Sequence, residues 1–486
     1  MDSVTVLPAG SAGREFVPVE YHRPGESETA LRDAQLASLL PEVPQWRSLR
    51  AEEIATLVEN GNRADDWSLV LVADPFAAHR VRNNTFHGLV RISALQDVVL
   101  EHHDLRLPVG ITNSRLVSSD IGPDAAIHNV AYLAHVLVGT RCILFNVDEL
   151  HTTNHAKFGN GILTDGESEE VRIWLDVMNE YGSRAILPFD GMIPADAYLW
   201  GKYRDDRALQ DACIRMTESR FDSRRGYYGT IGEQTVVKHC RILKDVKVGP
   251  HAYIKGANKL KNLTINSSAD EPTQIGEGVE LVNGIIGFGC HVFYGCKAVR
   301  FIMGRNSNLK YGARLIHSFL GDNSTVSCCE VLNNLIFPAH EQHHNNSFLI
   351  AALVMGQSNM AAAATIGSNH NSRANDNEVQ AGRGFWPGLA SSVKHSCRFA
   401  SFVLLAKGDY PAELDIPLPF ALLNNNVHQD RLEIMPAFWW MYNMYALIRN
   451  SWKFHKRDKR LPPVQRTEFN ALAPDSVQEI VHAIEL

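Results

Sequence analysis

Cysteine is scarce in this chain, which has eight cysteines among 486 residues. They show no CxxC spacing, and their density is far below that of disulfide-rich secreted domains. The adjacent pair Cys328 and Cys329 is more typical of small core residues than of nucleophiles. The cysteine usage therefore excludes a disulfide framework and favours a reducing, cytoplasmic location.

Long hydrophobic runs are also missing. The longest aromatic and apolar stretch, "AFWWMYNMYALI" at 437–448, is shorter than the roughly 20 residues that span a bilayer and contains an asparagine. It predicts a buried or partner-facing helix. The first residues, "MDSVTVLPAGSAGREF", lack the basic and apolar regions of a secretory signal. We therefore expect no membrane partner.

An excess of charge of one sign is absent as well. Charged residues make up 21% of the chain, hydrophobic residues 45%, and the net charge of −7 is not gathered into a tail. Nucleic acid is an unsuitable partner, because neutralising phosphates requires a basic face. The one dense basic run, "KFHKRDKR" at 453–460, is interpreted as a solvated helix end.

A repeated pattern dominates what is present. Eight segments have an aliphatic residue or methionine, then glycine, then four residues, then another aliphatic residue. They begin at Ile121, Val138, Ile231, Val248, Ile275, Ile286, Met303 and Leu320. Several neighbouring starts are separated by the same 17-residue step, and continuing that step from Leu320 reaches Phe337 and Val354. A fixed period of this kind is the signature of a solenoid.

Three apolar positions in each 17-residue cycle predict a chain that coils through three short strands per turn and points one aliphatic side chain inward from each. We expect the repeat glycines to relax the backbone at the corners, since glycine accepts left-handed dihedrals. A Rossmann-like alternation is the structural competitor, but no GxGxxG sequence opens a long amphipathic helix. P-loop and GxSxG motifs are missing too.

The six residues from each repeat aliphatic residue to the position before the next one form a hexad. These hexads resemble those of the hexapeptide-repeat superfamily, whose fold is a left-handed parallel β-helix. More narrowly, "AYIKGANKLKNLTINSS", "HEQHHNNSFLIAAL", "ATIGSNHNSR", "GRGFWPGL" and "AKGDYPAELDIPLPF" resemble a bacterial family with a domain of unknown function within that superfamily. The superfamily's best-known members are acyltransferases acting on sugars, commonly trimeric, and γ-class carbonic anhydrases form a metal-dependent branch. The 17-residue period departs from the usual 18.

The resemblance and the periodicity together predict an all-β solenoid, a left-handed parallel β-helix with inserted and terminal α-helices. Helical spacing in "SEEVRIWLDVMNEYG" and "ADAYLWGKYRDDRALQDACIRMTESRF" marks an insertion. The predicted parts are an N-terminal helical cap at 1–85, first coils at 86–165, a helical insertion at 166–229, the main β-helix at 230–410 and a C-terminal cap with a helix at 411–486.

Three clusters of histidine, amide and charge interrupt the hexads: "TTNHAKFGNG" at 152–161, "HEQHHNNS" at 340–347 and "GSNHNSRANDNE" at 367–378. We expect their polar groups to face solvent or a cleft and not the aliphatic interior. The structural alternative is a ladder of asparagine and histidine that satisfies backbone groups at coil corners.

Imidazole is a general base near neutral pH, and a neighbouring carboxylate can orient it. Amides, lysine and arginine bind hydroxyls or phosphates. The predicted catalytic residues are His340, Glu341, His343 and His344, with His343 or His344 as the base. The predicted substrate-binding residues are His155, Lys157, Asn345, Asn346, Asn369, His370, Arg373 and Arg383.

Metal binding is a separate hypothesis. His340, His343 and His344 would supply nitrogen ligands to a divalent metal, as histidines do in the γ-carbonic-anhydrase branch. Adjacent residues of a strand point to opposite faces, however, which argues against a site built from neighbours.

Three function classes follow. The first is a transferase that moves an acyl group, with acyl-CoA as co-substrate, onto a sugar or sugar phosphate. The second is a carbohydrate lyase, hydrolase or isomerase, with or without a metal, and the third is a non-catalytic scaffold. A small-molecule carbohydrate substrate and a homo-oligomer, preferentially a trimer, are the expected partners.

Overall fold

The computed structural model describes residues 4–8, 10–25, 27–367, 377–461 and 464–486. The chain divides into two compact units, the first formed by Met1–Arg172 and Phe221–Val282 and the second by Ile173–Arg220 and Asn283–Leu486. Each unit is a parallel β-solenoid. The predicted fold class, a left-handed parallel β-helix with inserted and terminal helices, is confirmed.

In the first unit, three short strands form each coil and each strand pairs in parallel with its equivalent one coil later. Leu116 pairs with Leu133, Ile121 with Val138 and Ala126 with Ile143, and each pair is separated by the 17-residue step of the sequence. That period is therefore the length of one turn through three faces. The step from Val138 to its partner Ile231 is longer, because the inserted segment leaves the coil stack between them.

The first unit contains helices α1 (Glu28–Leu39) and α2 (Ala51–Glu59) and the short 3-10 helices Val19–Tyr21, Trp67–Leu69, Ala78–Arg80 and Glu169–Val171. Its strands are Arg47–Ser48, Arg63–Ala64, Val70–Val72, Val81–Arg82, Thr85–His87, Val90–Ile92, Val99–His102, Leu105–Pro108, Gly110–Thr112, Arg115–Val117, Asp120–Ile121, Ala126–Val130, Leu133–Ala134, Val136–Val138, Ile143–His151, Gly229–Ile231, Val236–Val248, Tyr253–Lys255, Lys259–Ile265 and Gln274–Ile275. The strand Glu280–Ile286 contains the boundary between the units.

The second unit contains helices α3 (Pro194–Lys202), α4 (Arg207–Arg220), α5 (Phe438–Tyr442), α6 (Met444–Arg457) and α7 (Pro474–Glu485). Its strands are Leu175–Asp176, Ala185–Ile186, His291–Val292, Lys297–Met303, Asn308–Lys310, Arg314–Leu320, Thr325–Ser327, Glu330–Leu332, Leu335–Ile336, Glu341–Gln342, Phe348–Ile350, Ala352–Val354, Asn359–Met360, Thr365–Ile366, Val379–Ala381, Trp386–Pro387, Ser392–Val393, Arg398–Phe399, Leu404–Leu405, Asp409–Tyr410, Asp415–Ile416, Leu422–Asn426 and Arg431–Met435.

The core of each solenoid is the aliphatic column that the repeat predicts. The seven residues expected to point inward are at most 2% exposed, and this prediction is confirmed for Ile121, Val138, Ile231, Val248, Ile286, Met303 and Leu320. In the first unit, a cluster of three charges lies beside this core: Asp120 is fully buried and forms ion pairs with the buried Arg32 and Arg91. A buried charge is costly to leave unpaired, and each of the three has an opposite charge beside it.

The repeat glycines do not serve the purpose expected of them. Gly122 and Gly249 do not have left-handed backbones; a Cβ there would lie 2.6 Å from the Val138 carbonyl oxygen or 2.7 Å from the Ser267 nitrogen of the next coil. Glycine is required by the close approach of stacked coils. Asparagine occupies ten of the 37 described non-glycine positions with a left-handed backbone and is the most frequent residue among them, because it tolerates that conformation better than most residues.

The coil period changes after Leu320. Leu320 pairs with Ile336, one position short of the usual step, and Ile336 pairs with Val354, one position beyond it. The expectation that Phe337 continues the core ladder is wrong by one position, because Ile336 is fully buried and Phe337 is partly exposed. The next coil restores the register, so the expectation for Val354 is correct.

Several boundaries differ from the sequence-based ones. Coil strands begin at Arg63–Ala64, before residue 86, and continue to Leu422–Asn426, beyond residue 410. Residues 168–182 are not a long helix, since Leu175–Asp176 pairs with Ala185–Ile186 in an antiparallel ladder. Among the described residues, no helix combines the length and the apolar character needed to cross a membrane.

Candidate functional site

A cleft of about 920 Å³ lies in the second unit between the coils and helix α6. One wall is a face of the coils that carries histidine, amides, a hydroxyl and a carboxylate. The other wall is the basic side of α6 and the residues just after it. The lining consists of Gly289, His291, Asn306, Asn308, Asn323, Thr325, Glu341, His343, Arg449, Trp452, Lys453, Lys456, Arg457 and Lys459.

The coil wall follows directly from the repeat. His291 pairs with Asn308, Asn308 with Thr325 and Thr325 with Glu341, so the four residues form one column across successive coils. Parallel strands lie about 4.8 Å apart, and the column therefore spans on the order of 14 Å. The coil interior holds aliphatic residues at the alternate positions, which turns these polar side chains outward.

Helix α6 is held against the coils by an apolar face. Its Phe454 packs with Phe469 and Ala339, and the preceding α5 residue Trp439 packs with Phe402. A buried ion pair fixes the chain just after α6, where the Arg460 guanidinium lies 2.9 Å from Asp322 at a coil corner. The basic side of the helix is thereby positioned opposite the polar column.

Five cations line the cleft: Arg449, Lys453, Lys456, Arg457 and Lys459. Among the described lining residues, one carboxylate, that of Glu341, faces them. Both lining histidines are held neutral, because burial lowers the pKa of each below the ordinary histidine value. The lining therefore carries a formal charge of +4 near neutral pH, and an anionic ligand would be attracted to it.

Glu341 connects the two walls. Its Oε1 atom lies 2.5 Å from the Arg457 guanidinium and 3.4 Å from Lys453 Nζ. Its Oε2 atom lies 3.2 Å from Nδ1 of His343. The Glu341 side chain is 8% exposed, so these partners compensate a charge that water does not reach well.

The Glu341 carboxylate lies beside the His343 ring on its Nδ1 side, as an ion-pair contact of 3.2 Å. Nε2 is therefore the ring nitrogen that is left to accept a proton from a ligand. The His343 side chain is 37% exposed and borders the cleft. Burial lowers its pKa below the ordinary value, although the carboxylate acts in the opposite direction. The ring is therefore neutral and able to take a proton near pH 7.

His340 lies elsewhere. Its ring is fully buried inside the coil, with Nδ1 2.8 Å from Ser358 Oγ and Nε2 3.1 Å from Gln342 Oε1. Gln342 is buried as well and donates to Ser347. The eight residues 340–347 are called the octet here. The expectation that their polar groups avoid the interior is wrong for His340 and Gln342, because hydrogen bonds to each other and to buried serines satisfy them. The side chains of these two residues bond to other side chains inside the coil and not to the backbone groups at corners that the ladder alternative invokes.

The other residues of the octet lie on a corner. His344, Asn345 and Asn346 are exposed, and Asn346 has a left-handed backbone. The His344 ring packs against His343, with centroids 4.4 Å apart. This corner is longer than the two before it: Gln342 to Phe348 covers six steps, whereas Val326 to Glu330 covers four and Leu309 to Arg314 covers five. The extra residue explains why the two histidines protrude.

The remaining predicted residues are distributed over both units. His155 and Lys157 belong to the first unit, where His155 is exposed and Lys157 is buried, with its Nζ 2.7 Å from Glu167. Arg383, in the second unit, is 6% exposed. It is bound by Asp475 and Gln357, so it ties α7 to the coils. Their binding roles stay predictions. Asn369, His370 and Arg373 lie outside the described residues.

The metal hypothesis is not supported by the arrangement of the octet. His340 points into the coil, with both ring nitrogens bonded, while His343 borders the cleft. In the part of the chain that the structure describes, no group of three histidine, cysteine, aspartate or glutamate side chains is arranged to hold a metal ion. The structure therefore does not place His340, His343 and His344 around one point, and metal binding stays a prediction.

Sequence reasoning missed the basic wall. The sequence of the run at 453–460 predicts a solvated helix end, yet Lys453, Lys456, Arg457 and Lys459 line the cleft. The coil column was also missed, although the 17-residue step from His291 to Asn308 and Thr325 is present in the sequence. Following the repeat at its polar positions would have found this wall.

Two solved structures match part of the chain. One is an Arabidopsis UDP-N-acetylglucosamine acyltransferase, 13% identical, covering 53% of this chain and 82% of its own, with a TM-score of 0.17. The other is a UDP-N-acetylglucosamine O-acyltransferase from Moraxella catarrhalis, 10% identical, covering 53% and 83%, with a TM-score of 0.18. At these scores the matches carry no argument about activity.

A relative in Treponema pallidum (strain Nichols), with the name "Uncharacterized protein", is 59% identical over 484 residues. The match covers 99% of this chain and 66% of that protein, so the chain spans slightly less than two thirds of the relative. The model of the family "Domain of unknown function (DUF4954)" matches residues 46–486, and the chain belongs to that family.

Proposed function

We propose that the cleft binds a phosphorylated sugar and that the protein transfers an acyl group to one of the sugar's hydroxyls. The observation that carries the proposal is that five cations face a column of amide, hydroxyl and imidazole groups, and that a carboxylate lies beside His343 at the border of the same cleft. The cations suit a phosphate, and the coil column suits sugar hydroxyls.

The cation wall supports an anionic ligand in preference to a neutral one. The cations outnumber the carboxylate by four, and cations sharing one small volume repel each other. A phosphate would offset that repulsion and accept charge-assisted hydrogen bonds from Lys456 and Arg449. The spacing of the coil column, about 4.8 Å per step, is close to the separation of alternate, 1,3-related hydroxyls on a sugar ring.

In the proposed reaction, His343 and Glu341 have different roles. The substrate hydroxyl loses its proton to Nε2 of His343 while its oxygen bonds to the thioester carbonyl carbon of acyl-CoA. The carbon–sulfur bond then breaks, and the CoA thiolate takes the proton back from the imidazolium. Glu341 holds the ring and stabilises its charged form.

A carbohydrate lyase, hydrolase or isomerase is the second candidate, because the same oriented base abstracts a proton in those reactions. It differs in needing no acyl donor. Incubating the protein with hexose phosphates in the presence and absence of acyl-CoA, followed by mass spectrometry, distinguishes the two: an acylated product supports the transferase, and donor-independent conversion supports the second candidate.

Binding is tested by titration calorimetry with a hexose 6-phosphate and with the free hexose. We expect the phosphorylated sugar to bind and Lys456→Gln to weaken it about tenfold or more at low salt, the effect of losing one charge-assisted hydrogen bond. Lys407→Gln, at an exposed lysine outside the cleft lining, is the matched control. Equal affinity for the free sugar, or equal losses in both variants, would contradict the anionic site.

The base is tested by His343→Gln. This variant should bind the sugar phosphate normally and lose turnover by about 10²- to 10⁴-fold, which is the usual contribution of a general base. Because burial lowers the pKa of His343, the acid limb of the rate profile should lie below the ordinary histidine value of 6.5. A variant that keeps turnover would exclude His343 as the base and leave the binding proposal intact.

A further inference from the structure

The outer face of helices α5 and α6 exposes large apolar side chains in a helical stripe. Met441, Tyr445 and Ile448 are between 62% and 75% exposed and follow each other at intervals of three or four residues, and Trp452, 62% exposed, continues the stripe at the rim of the cleft. Since α6 buries Ala446, Leu447 and Phe454 against the coils, this stripe is on the opposite side of the helix. An exposed patch of this size marks an interaction surface.

The positive charge of helix α6 limits which kind of surface can pack against the stripe. Helix α6 carries Arg449, Lys453, Lys456 and Arg457 and has no acidic residue in its sequence. Two α6 stripes packed face to face would bring these rows of cations together, at a cost in like-charge repulsion. The partner surface therefore needs apolar side chains with carboxylates beside them.

Helix α7 has those properties. Its Val477, Val481 and Ile484 are 45%, 54% and 79% exposed and also recur at intervals of three or four residues. The helix has no lysine or arginine, and of its three acidic residues Asp475 and Glu479 bind Arg383 and Ser401 of the same chain, which leaves Glu485 to face the cations of a partner. Within its own unit α7 is fixed to the coils by Ser401 and Arg383, which leaves its apolar side outward.

We propose that the α6 stripe of one copy of the chain packs against the α7 stripe of a second copy. The two stripes of each copy together expose on the order of 1,000 Å² of apolar side chains, comparable to what one partner contributes to a standard interface. The contact joins two different surfaces, α6 of one copy and α7 of another. Two copies related by a two-fold axis can form it twice, and copies arranged head to tail can form it around a ring. It does not depend on what the cleft binds.

Site-directed cross-linking tests the pairing on the full chain. Ile448→Cys and Val481→Cys variants with different tags are mixed and treated with a short bismaleimide. We expect a product that carries both tags, and far less product from either variant alone. Wild-type chains and a mixture of Leu389→Cys with Val481→Cys are the controls, because Leu389 is 61% exposed and outside both stripes. Efficient cross-linking of Ile448→Cys with itself, or of the Leu389→Cys control, would overturn the proposal.

Light scattering gives a second, independent reading. At micromolar concentration the wild-type chain should have a mass above 54.1 kDa, and Tyr445→Ser/Ile448→Ser should shift it towards the monomer. Tyr311→Ser/Leu389→Ser, which removes similarly exposed side chains of the same unit, should leave the mass unchanged. A monomeric wild-type chain, or one that sediments with anionic lipid vesicles and does not self-associate, would refute the contact between copies.

Discussion

The buried ring of His340 makes the stability of the second unit depend on pH. Burial lowers the pKa of His340 from the ordinary 6.5 to about 4. Between these two pH values, the ring is protonated in the unfolded chain and neutral in the folded chain. The stability that the neutral ring contributes is present above pH 6.5 and is lost as the pH falls towards 4. A difference of 2.5 pKa units corresponds to about 3 kcal/mol, of which about 2 kcal/mol is lost by pH 5.

The assay is urea unfolding of wild type and His340→Asn at pH 7 and pH 5. Asparagine can keep a bond to Ser358 but does not titrate, so we expect the variant to be less stable at pH 7 and to lose about 2 kcal/mol less than wild type on acidification. His344→Asn, at an exposed neighbour, should unfold like wild type at both pH values. Equal acid sensitivity of wild type and His340→Asn would refute the account of a neutral buried ring.

Three further outcomes follow from the packing. Asp120→Asn should destabilise the first unit by about 3–5 kcal/mol in urea unfolding, because it leaves two buried arginines without their common carboxylate. Leu320→Ala should cost the second unit about 2–5 kcal/mol, the usual effect of emptying a core position, and a loss below about 1 kcal/mol would show that the coils collapse around the gap. Glu341→Gln should lower the pKa of His343 further, since the carboxylate raises it, and an NMR titration of the His343 ring that shows an increase would contradict the pairing.

The fold was predictable because the repeat states the same physical requirement many times. Ile121 and Val138 must both be aliphatic since they stack in one column, and the glycine after each must be small since the next coil touches it. The pattern of aliphatic residues and glycines predicts the fold correctly. The glycines are nevertheless required by the close approach of stacked coils and not by left-handed corners. A single hexad would not have revealed either requirement.

The candidate site was predictable only in part. The octet was found by composition, but composition does not tell which histidine points inward. His340 continues an interior column formed by Ser307, Ser324 and Ser358, where each coil places a small polar residue, and the backbone N–H of His340 donates to Ser324 Oγ. The opposite wall is far from the octet in sequence, and the docking of Phe454 against Ala339 that brings the two together leaves no local signal.

The change of coil length beside the octet has a consequence for how such a chain can vary. Val326 to Glu330 is one step shorter than the equivalent corner in the preceding coil, and Gln342 to Phe348 is one step longer. A strand that lost one residue would expose its aliphatic side chains, because alternate residues face opposite ways. Here the loss and the gain both fall at corners and cancel over two coils, so every strand keeps its inward face. Residues can therefore be lost at one corner and gained at the next without moving the core positions of the strands. New side chains can be added in this way at the edge of a cleft while the coils that carry them keep their structure.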